Sequence, residues 1–396
     1  MNNNNQKNKN SIVELIKLFL KLGTIAFGGP AAHIAMMEEE VVRRRKWLTR
    51  EHFLDLVGAT NLIPGPNSTE MAIHIGYIRG GLLGLVVSGL SFILPAVIIT
   101  CVIAWIYVRF GAIPEVAPFL FGIKPAVISV ILVAVIRLGK TAAKNTQLVT
   151  IGFAVTLSSL MGINEVLALL CGGVAGIILH WIKKSESKKV SLWIISLFSQ
   201  LWGIFKDSDA KAAVAVSVAG IAGISLWKLG LFFLKVGSVL YGSGYVLVAF
   251  LEGGLVKDYG WLTQQQLLDA IAIGQFTPGP VLSTATFVGY IVSGMPGAIV
   301  STVAIFLPSF IFVLMLNPVI PRLRSSRIMS AFLDAVNISA IGLMAAVVVN
   351  LAGSTLTDWR TIFIAAGAAI AGIRFKLNAA WLVAGGAAAG WLLRVI

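Results

Sequence analysis

The sequence predicts an all-α fold: a polytopic helical membrane protein of two homologous, inverted repeats, with about ten transmembrane segments and helices broken at Pro and Gly. Three observations support this prediction: an apolar composition, a duplication within the chain, and a matched helix interruption in each half. The 396 residues are 57% hydrophobic and 12% charged, with a mean hydropathy of +0.89. Soluble domains carry roughly a quarter charged residues. This composition therefore excludes a soluble enzyme, a disordered chain and a nucleic-acid-binding domain.

The formal net charge of +14 comes from 31 Lys and Arg residues against 17 Asp and Glu residues. In a membrane protein this excess is typical of cytoplasmic loops, where basic side chains contact the head groups of the lipid bilayer. Part of it is also available to an anionic substrate. The two cysteines, Cys101 and Cys171, lie inside apolar runs and form no metal-ligand pattern. We therefore expect no metal, no cofactor and no nucleic-acid partner.

The chain contains an internal duplication. Residues 19–23 align with residues 233–237, and the offset of 214 holds without a gap through the Pro-Gly-Pro sequences at 64–66 and 278–280. After one single-residue gap, Gly76 matches Gly289 and Lys124 matches Asn337. The duplication predicts a polar N-terminal tail over 1–10, a first membrane repeat over 11–182, a charged linker and inter-repeat segment over 183–225, and a second membrane repeat over 226–396.

Each half presents the same elements in the same order. An apolar stretch ends in glycines, a polar loop carries Trp-Leu-Thr, and the next segment is interrupted by Pro-Gly-Pro. Two long apolar helices and two short apolar segments follow. The short segments have too few residues to cross a bilayer core of about 30 Å unaided. We expect the long helices over 80–109, 117–138, 293–317 and 330–350, and the short segments over 147–160, 164–182, 361–373 and 378–394.

The charge of two matched loops predicts the relative orientation of the halves. The loop of the first half carries Arg43, Arg44, Arg45, Lys46 and Arg50, whereas the loop of the second half carries Lys257 beside Asp258. Basic loops stay in the cytoplasm. Equivalent loops on opposite faces of the membrane indicate inverted repeats, as in many secondary transporters.

The Pro-Gly-Pro interruptions predict an anion-binding site. Pro removes an N–H donor and Gly takes unusual dihedral angles, so each motif breaks a helix. A helix that starts after the break exposes unpaired N–H groups, which attract anions. A single break is commonly only a kink or a packing site, but its recurrence in both halves favours a transport site. The candidate substrate-binding residues at the breaks are Gly28, Gly29, Gly65, Asn67, Ser68, Thr69, Gly279, Ser283 and Thr284.

Ionisable residues at membrane depth supply further candidates. Lys124 and its counterpart Asn337 are candidate substrate-binding residues. The alternative for Lys124 is that its ammonium group extends to the membrane–water interface. The candidates for proton coupling are His33, Glu38, Glu70 and Glu252, with His74 as a further proton carrier; the alternative for the matched Glu38 and Glu252 is an interfacial ion pair. An ionised Glu70 would repel a dianion bound nearby. The alternative is that protonation of Glu70 couples to anion movement. We expect Asp55 and Asp269 to cap or orient the helix before each break.

Several of these motifs resemble the chromate transporter family. The resemblance covers both halves, as in the long, two-domain members. The second half departs from the first, because Gly242-Ser243-Gly244 stands where the first half has Gly28-Gly29-Pro30, so the halves need not contribute equally. The motifs that carry the resemblance are Phe27 to Pro30, Trp47-Leu48-Thr49, Asn61 to Glu70 with Gly76-Tyr77, and Gly274 to Pro280 with Gly289-Tyr290.

The resemblance implies export of chromate across the bacterial inner membrane, driven by the membrane potential or by protons as the coupling ion, with chromate resistance as the phenotype. Sulfate has the same tetrahedral shape and charge, so a sulfate or other oxyanion transporter stays open, as does an anion channel on the same scaffold. A homodimer is compatible with each. We do not predict an enzyme, because the sequence has no Walker phosphate loop, no His-Glu-x-x-His motif and no assembled catalytic set.

Overall fold

The computed structural model describes residues 2–26, 29–110, 117–184, 225–241, 244–316 and 326–395. Every regular element in these ranges is a helix, and each half contains seven α-helices in matching order. The predicted inter-repeat segment lies almost entirely outside the described residues. The first half holds α1 (Asn2–Ile25), α2 (Pro30–Glu38), α3 (Arg50–Thr60), α4 (Asn67–Phe110), α5 (Ala117–Ala142), α6 (Thr146–Leu160) and α7 (Glu165–Lys184). The second half holds α8 (Leu226–Val239), α9 (Leu247–Phe250), α10 (Gln264–Phe276), α11 (Thr284–Leu316), α12 (Arg327–Thr355), α13 (Trp359–Arg374) and α14 (Ala379–Val395).

The expected long helices and short apolar segments are present within a few residues of their predicted bounds. Helix α1 begins at Asn2, inside the segment expected as a polar tail. A π-helical stretch extends α2 over Glu39–Arg44, and another extends α9 over Leu251–Asp258. The side chains of Thr49 and Thr263 cap α3 and α10. The caps are therefore not Asp55 and Asp269, which lie inside those helices.

Helices α4 and α11 each fold back on themselves near their start. The backbone leaves the helical region at Gly80 and Gly81, and again at Ser293 and Gly294. In α11 the Ser301 hydroxyl donates to the Ala285 carbonyl at 2.8 Å, whereas residues sixteen apart in a straight helix lie about 24 Å apart. Each helix is therefore a short limb (67–79; 284–292) that packs against a long limb (82–110; 295–316).

The long limbs of α4 and α11 pack against each other in opposite directions. Cys101, late in the first limb, lies with its Sγ 3.6 Å from Sδ of Met295, which starts the second. At the other end, Gly89 of the first limb lies against the ring of Phe310, late in the second. Equivalent helices of the two halves are thus antiparallel.

Helices of the two halves also pack against each other, although a smaller cluster of buried apolar side chains lies within the first half alone. Ser129 of α5 donates to the Ala365 carbonyl of α13 at 2.7 Å, and Thr156 of α6 donates to the Gly342 carbonyl of α12 at 3.1 Å. The largest cluster of buried apolar side chains draws on both halves. This interlocking explains how short helices such as α6 and α13 are held, because each packs against a long helix of the other half.

Among the residues that the structure describes, five helical segments are long and apolar enough to cross a bilayer by length and composition. They include both folded helices, and the count of about ten crossings stays a prediction. Large apolar side chains of the long limb of α4 are exposed, which suits contact with lipid; Leu83 is 61% and Ile98 is 60% exposed. The five segments are Asn67–Phe110, Pro118–Ala142, Glu165–Ile182, Val281–Met315 and Arg327–Thr355.

Candidate functional site

The backbone breaks of the two halves are hydrogen-bonded to each other. The N–H of Gly65 donates to the Leu240 carbonyl at 2.7 Å, and the N–H of Gly279 donates to the Ala26 carbonyl at 2.9 Å. Gly65 and Gly279 are equivalent residues of the two halves, and so are Ala26 and Leu240. Each Pro-Gly-Pro break is thereby joined to the glycine break of the other half. Such a reciprocal exchange is typical of a twofold relation.

The breaks require glycine at the predicted positions. Gly29, Gly65 and Gly279 have φ angles of 81°, 142° and 87°, which side-chain-bearing residues rarely adopt. A methyl group on Gly65 would also meet the Glu70 carboxylate and would lie 2.6 Å from the Ser309 hydroxyl oxygen. On Gly279 it would lie 3.0 Å from Ala96 Cβ. Predicted Gly28 lies outside the described residues.

A helix begins directly after each Pro-Gly-Pro motif, as predicted. Helix α4 starts at Asn67, whereas in the second half a 3₁₀ turn over Val281–Ser283 precedes α11. The Asn67 side chain donates to Asn61 Oδ1 at 2.7 Å. Ser68 and Thr69 are buried. The first turn of α4 therefore presents backbone N–H groups beside a pair of hydrogen-bonded amides.

Hydroxyl groups gather at the break of the second half. The Thr100 hydroxyl of α4 lies 3.4 Å from the hydroxyl oxygens of both Thr277 and Ser283, and its one O–H is shared between these two acceptors. The Thr284 hydroxyl donates to its own turn, at the Val281 carbonyl. The counterpart of Thr100 in the second half is Val313, which has no hydroxyl. Among the described residues, the hydroxyl cluster therefore forms at the second Pro-Gly-Pro break and has no equivalent at the first.

A cavity of about 470 Å³ reaches the break of the first half. Asn61 and Leu62 line it beside predicted residue Asn337, and the end of α5 and the start of α12 form its walls. Lys144 and Asp334 also line it and form an ion pair at 2.7 Å. Asn61 is exposed although it lies at a break between helices, because it borders this cavity. The cavity thus extends from the ion pair of Lys144 and Asp334 to the backbone break of the first half.

Lys124 does not border this cavity. It is half-buried in α5, where its charge interacts with that of Asp269. Asp269 is buried and accepts a hydrogen bond of 2.7 Å from the Tyr107 hydroxyl. The structure therefore places Lys124 and its counterpart Asn337 in two different environments: the charge of Lys124 interacts with that of Asp269, whereas Asn337 lines the cavity.

The predicted coupling residues divide into partnered and unpartnered groups. Glu38 pairs with Arg50 at 3.5 Å and Glu252 pairs with Lys257 at 3.1 Å, which favours the ion-pair alternative for both. His33 lies with Nε2 3.0 Å from the Ala26 carbonyl oxygen. In contrast, neither oxygen of Glu70 and neither ring nitrogen of His74 has a hydrogen-bond partner among the described residues.

One ion pair of this region was not predicted from the sequence. Lys21 donates to Glu40 at 2.8 Å, across the glycine break. This hydrogen bond, together with Arg45, holds the pKa of Glu40 below its ordinary value of 4.5, against an opposing effect of burial. The sequence held no local signal for this pair, because Lys21 and Glu40 are nineteen residues apart and the spacing of Glu40 and Arg44 favours a different pair, on one helix face. The pair holds the last turns of α1 close to the start of the π-helical stretch, because the chain reverses at the break between them.

Comparison with known proteins agrees with this arrangement. The family profile described as "Chromate transporter" matches the chain twice, over residues 13–177 and 227–391. The "Probable chromate transport protein" of Synechococcus elongatus is 32% identical over 89% of this chain and 88% of its own length. Proteins described as "Chromate transport protein" from Cupriavidus metallidurans and Pseudomonas aeruginosa are each 31% identical, over 95% and 97% of this chain and 92% of their own lengths.

No solved structure matches the chain significantly. The two profile matches agree with the internal duplication, and together they cover most of the sequence. The chain is therefore a two-repeat member of the chromate transporter family, which is a family of membrane transporters and not of enzymes.

Proposed function

We propose that this protein is a secondary active transporter that exports chromate across the inner membrane of a bacterial cell and thereby confers chromate resistance. The observation that carries the proposal is the cavity that holds Asn61 and Asn337 and ends at the hydrogen-bonded backbone breaks. Transporters of this general plan hold their substrate where discontinuous helices meet near the membrane midplane. The relatives described as chromate transport proteins support chromate as the substrate.

The two repeats, taken as 11–182 and 226–396, are inverted in the membrane under this proposal. The antiparallel packing of Cys101 against Met295 supports this orientation, as does the unequal charge of the two Trp-Leu-Thr loops. Basic residues mark the cytoplasmic side. The cavity opens between the end of α5, with Lys140 and Lys144, and the start of α12, with Arg327. It therefore faces the cytoplasm, from which an exported anion enters.

Binding of the anion at the inner end of this cavity would use neutral donors. The amides of Asn61 and Asn337 and the backbone N–H groups of Asn67 and Ser68 can donate to the oxygens of a tetrahedral dianion, whereas those of Thr69 and Glu70 donate to the Pro66 carbonyl. Lys144 lies at the same cavity, where its charge is paired with that of Asp334. Because the halves are pseudo-symmetric, the same transporter open to the opposite side of the membrane would use the equivalent residues. These are Ser283, Thr284 and Lys124.

The test is chromate uptake into inverted membrane vesicles, under an imposed voltage or an imposed pH gradient, with sulfate as competitor. Under the imposed pH gradient, accumulation beyond the electrochemical equilibrium of the anion itself, reduced by sulfate, is the expected result. Flux that never exceeds that equilibrium would instead identify an anion channel. Uptake of sulfate without uptake of chromate would agree with the fold-based argument for an anion site, but it would show that chromate is not the substrate. Vesicles without the protein measure the background.

A further inference from the structure

A buried cluster of polar atoms without partners lies on the short limb of α4. Glu70 is 0% exposed and His74 is 1% exposed. Both carboxylate oxygens of Glu70 and both ring nitrogens of His74 lack a hydrogen-bond partner among the described residues. Native proteins pair nearly all buried polar atoms, and each exception calls for an explanation. Six of the eight such atoms belong to Glu70, His74, Thr69 and Ser309.

These groups are gathered around the Gly65 break. A methyl group on Gly65 would meet a carboxylate oxygen of Glu70 and the hydroxyl of Ser309. Glu70 and His74 are four residues apart and therefore lie on one face of the short limb. Glu70 is also in the first turn of α4, where its own N–H donates to the Pro66 carbonyl at 3.1 Å. The carboxyl thus lies within one helical turn of the proposed anion site.

The cluster occurs in one repeat. Counting back from the matched Gly76 and Gly289, Ser283 and Phe287 take the positions of Glu70 and His74. The counterpart of Ser309 is Ala96, and Ser283 accepts a hydrogen bond from Thr100. The second break is therefore polar but holds no titratable side chain at these positions. An acid and an imidazole at only one of two pseudo-equivalent breaks are not needed for the shared fold.

The surroundings of Glu70 contain no compensating cation among the described residues. The titratable side chain whose charge interacts with it from another element is Tyr241, just before the second glycine break. The Ser309 hydroxyl also lies beside Gly65. Apolar side chains of α1, α2 and α3 pack against the short limb, and the far end of the limb carries Arg79, whose charge is paired with Glu14 of α1 at 2.9 Å. A carboxylate without a partner at membrane depth is costly, and a bound proton removes that cost.

Resting on the proposed function, we infer that Glu70, assisted by His74, is a proton-binding site that couples proton movement to anion movement. An ionised Glu70 one turn from the anion would repel it, whereas a protonated Glu70 would not. Protonation therefore strengthens anion binding, and by reciprocity the bound anion strengthens proton binding by the same factor. The proton travels with the anion in the same direction. A dianion moving with one proton still carries one net negative charge, so an inside-negative membrane potential drives its export.

The experiment uses the purified full-length protein in liposomes that contain a pH-sensitive dye. The voltage is clamped, and chromate is added outside at alkaline pH, where it is a dianion. The wild-type protein is expected to admit chromate and to acidify the lumen. Glu70→Gln is expected to admit chromate without acidification. Glu14→Gln, which alters the glutamate of a solvent-accessible ion pair with Arg79, is the matched control and should keep both movements.

The outcomes separate the two proposals. If the wild-type protein admits no chromate, the proposed function is wrong. If it admits chromate without protons, or if Glu70→Gln still acidifies the lumen, the proton site is wrong. A second measurement does not need a folded variant: dicyclohexylcarbodiimide modifies protonated carboxyl groups in apolar surroundings. We expect it to label Glu70 in the wild-type protein, with labelling that falls as the pH rises. Lack of labelling at Glu70, or labelling that does not change with pH, would overturn the inference.

Discussion

The N–H of Gly65, in the first half of the chain, donates a 2.7 Å hydrogen bond to the carbonyl oxygen of Leu240 in the second half. Its equivalent, from Gly279 to Ala26, is 2.9 Å long. Backbone groups that a helix break releases must be satisfied inside the protein, because lipid offers no partners. Each half therefore satisfies a break of the other. This dependence gives a physical reason for keeping both repeats in one chain.

Substitution of the break glycine should destabilise the fold. In Gly65→Ala the new methyl group meets Glu70 and lies 2.6 Å from the Ser309 hydroxyl, at a φ angle of 142°. Backbone strain of this kind costs about 1–3 kcal/mol, and the clash adds to it. We expect a lower melting temperature in detergent and loss of chromate uptake. Gly353→Ala is the control, because it lies in α12 with open space around it; an equal loss there would contradict the explanation.

The helix starts at the breaks were predictable because they depend on local chemistry. Pro-Gly-Pro cannot continue a helix, and Asn67 follows it in a position that suits a helix start. The reversal at Gly81 was missed, because a Gly-Gly pair inside a long apolar run is equally typical of a packed straight helix. A φ angle of 59° at Gly81 distinguishes the two cases, and it depends on the packing of the short limb against the long limb.

The contacts between the halves could not be read from one sequence. Lys124 and Asn337 are equivalent by alignment, and that equivalence predicts one shared site. The structure separates them because the side chain opposite Lys124 is Asp269, whereas Asn337 faces a cavity. Similarly, Glu40 lies among three consecutive glutamates, and only the reversal of the chain selects it as the partner of Lys21.

Removal of an amide from the cavity should weaken chromate binding. In Asn337→Ala one donor at the inner end of the cavity is lost, and a hydrogen bond to a charged group contributes about 1.5–3 kcal/mol. We expect KM for chromate to rise about tenfold or more, with little change in protein yield. Asn350→Ala, in the same helix but away from the cavity, should leave KM unchanged. A KM that is the same in both variants would remove Asn337 from the site.

Stability in acid should depend on the pair of Lys21 and Glu40. The hydrogen bond from Lys21 lowers the pKa of Glu40 in the folded protein. Such a group stabilises the fold above its unfolded pKa of 4.5, and this contribution is lost as the pH falls through the lowered folded pKa. Because Lys21 is half-exposed, the contribution is about 1 kcal/mol or less.

Melting temperatures of the wild-type protein and Glu40→Gln, measured in detergent from neutral to acidic pH, test this prediction. The two proteins should differ most near neutral pH and converge in acid, where the wild-type carboxylate is protonated. Glu39→Gln removes an exposed partner of Arg43 and Arg44 instead, and it should resemble the wild-type protein at every pH. A difference between wild type and Glu40→Gln that stays constant with pH would show that the substitution acts through packing and not through charge.

The antiparallel packing of the two halves predicts a specific crosslink. Cys101 Sγ lies 3.6 Å from Met295 Sδ, so Met295→Cys places a second thiol next to the native one. With a protease site inserted between residues 185 and 224, oxidation should keep the cleaved halves together on a non-reducing gel. Met315→Cys, at the opposite end of the same limb and 65% exposed, is the matched control and should not be linked to Cys101. If the two long limbs instead ran parallel, Met295 would lie near the start of the long limb of α4 and far from Cys101. The Met295→Cys protein would then give separate fragments on the gel.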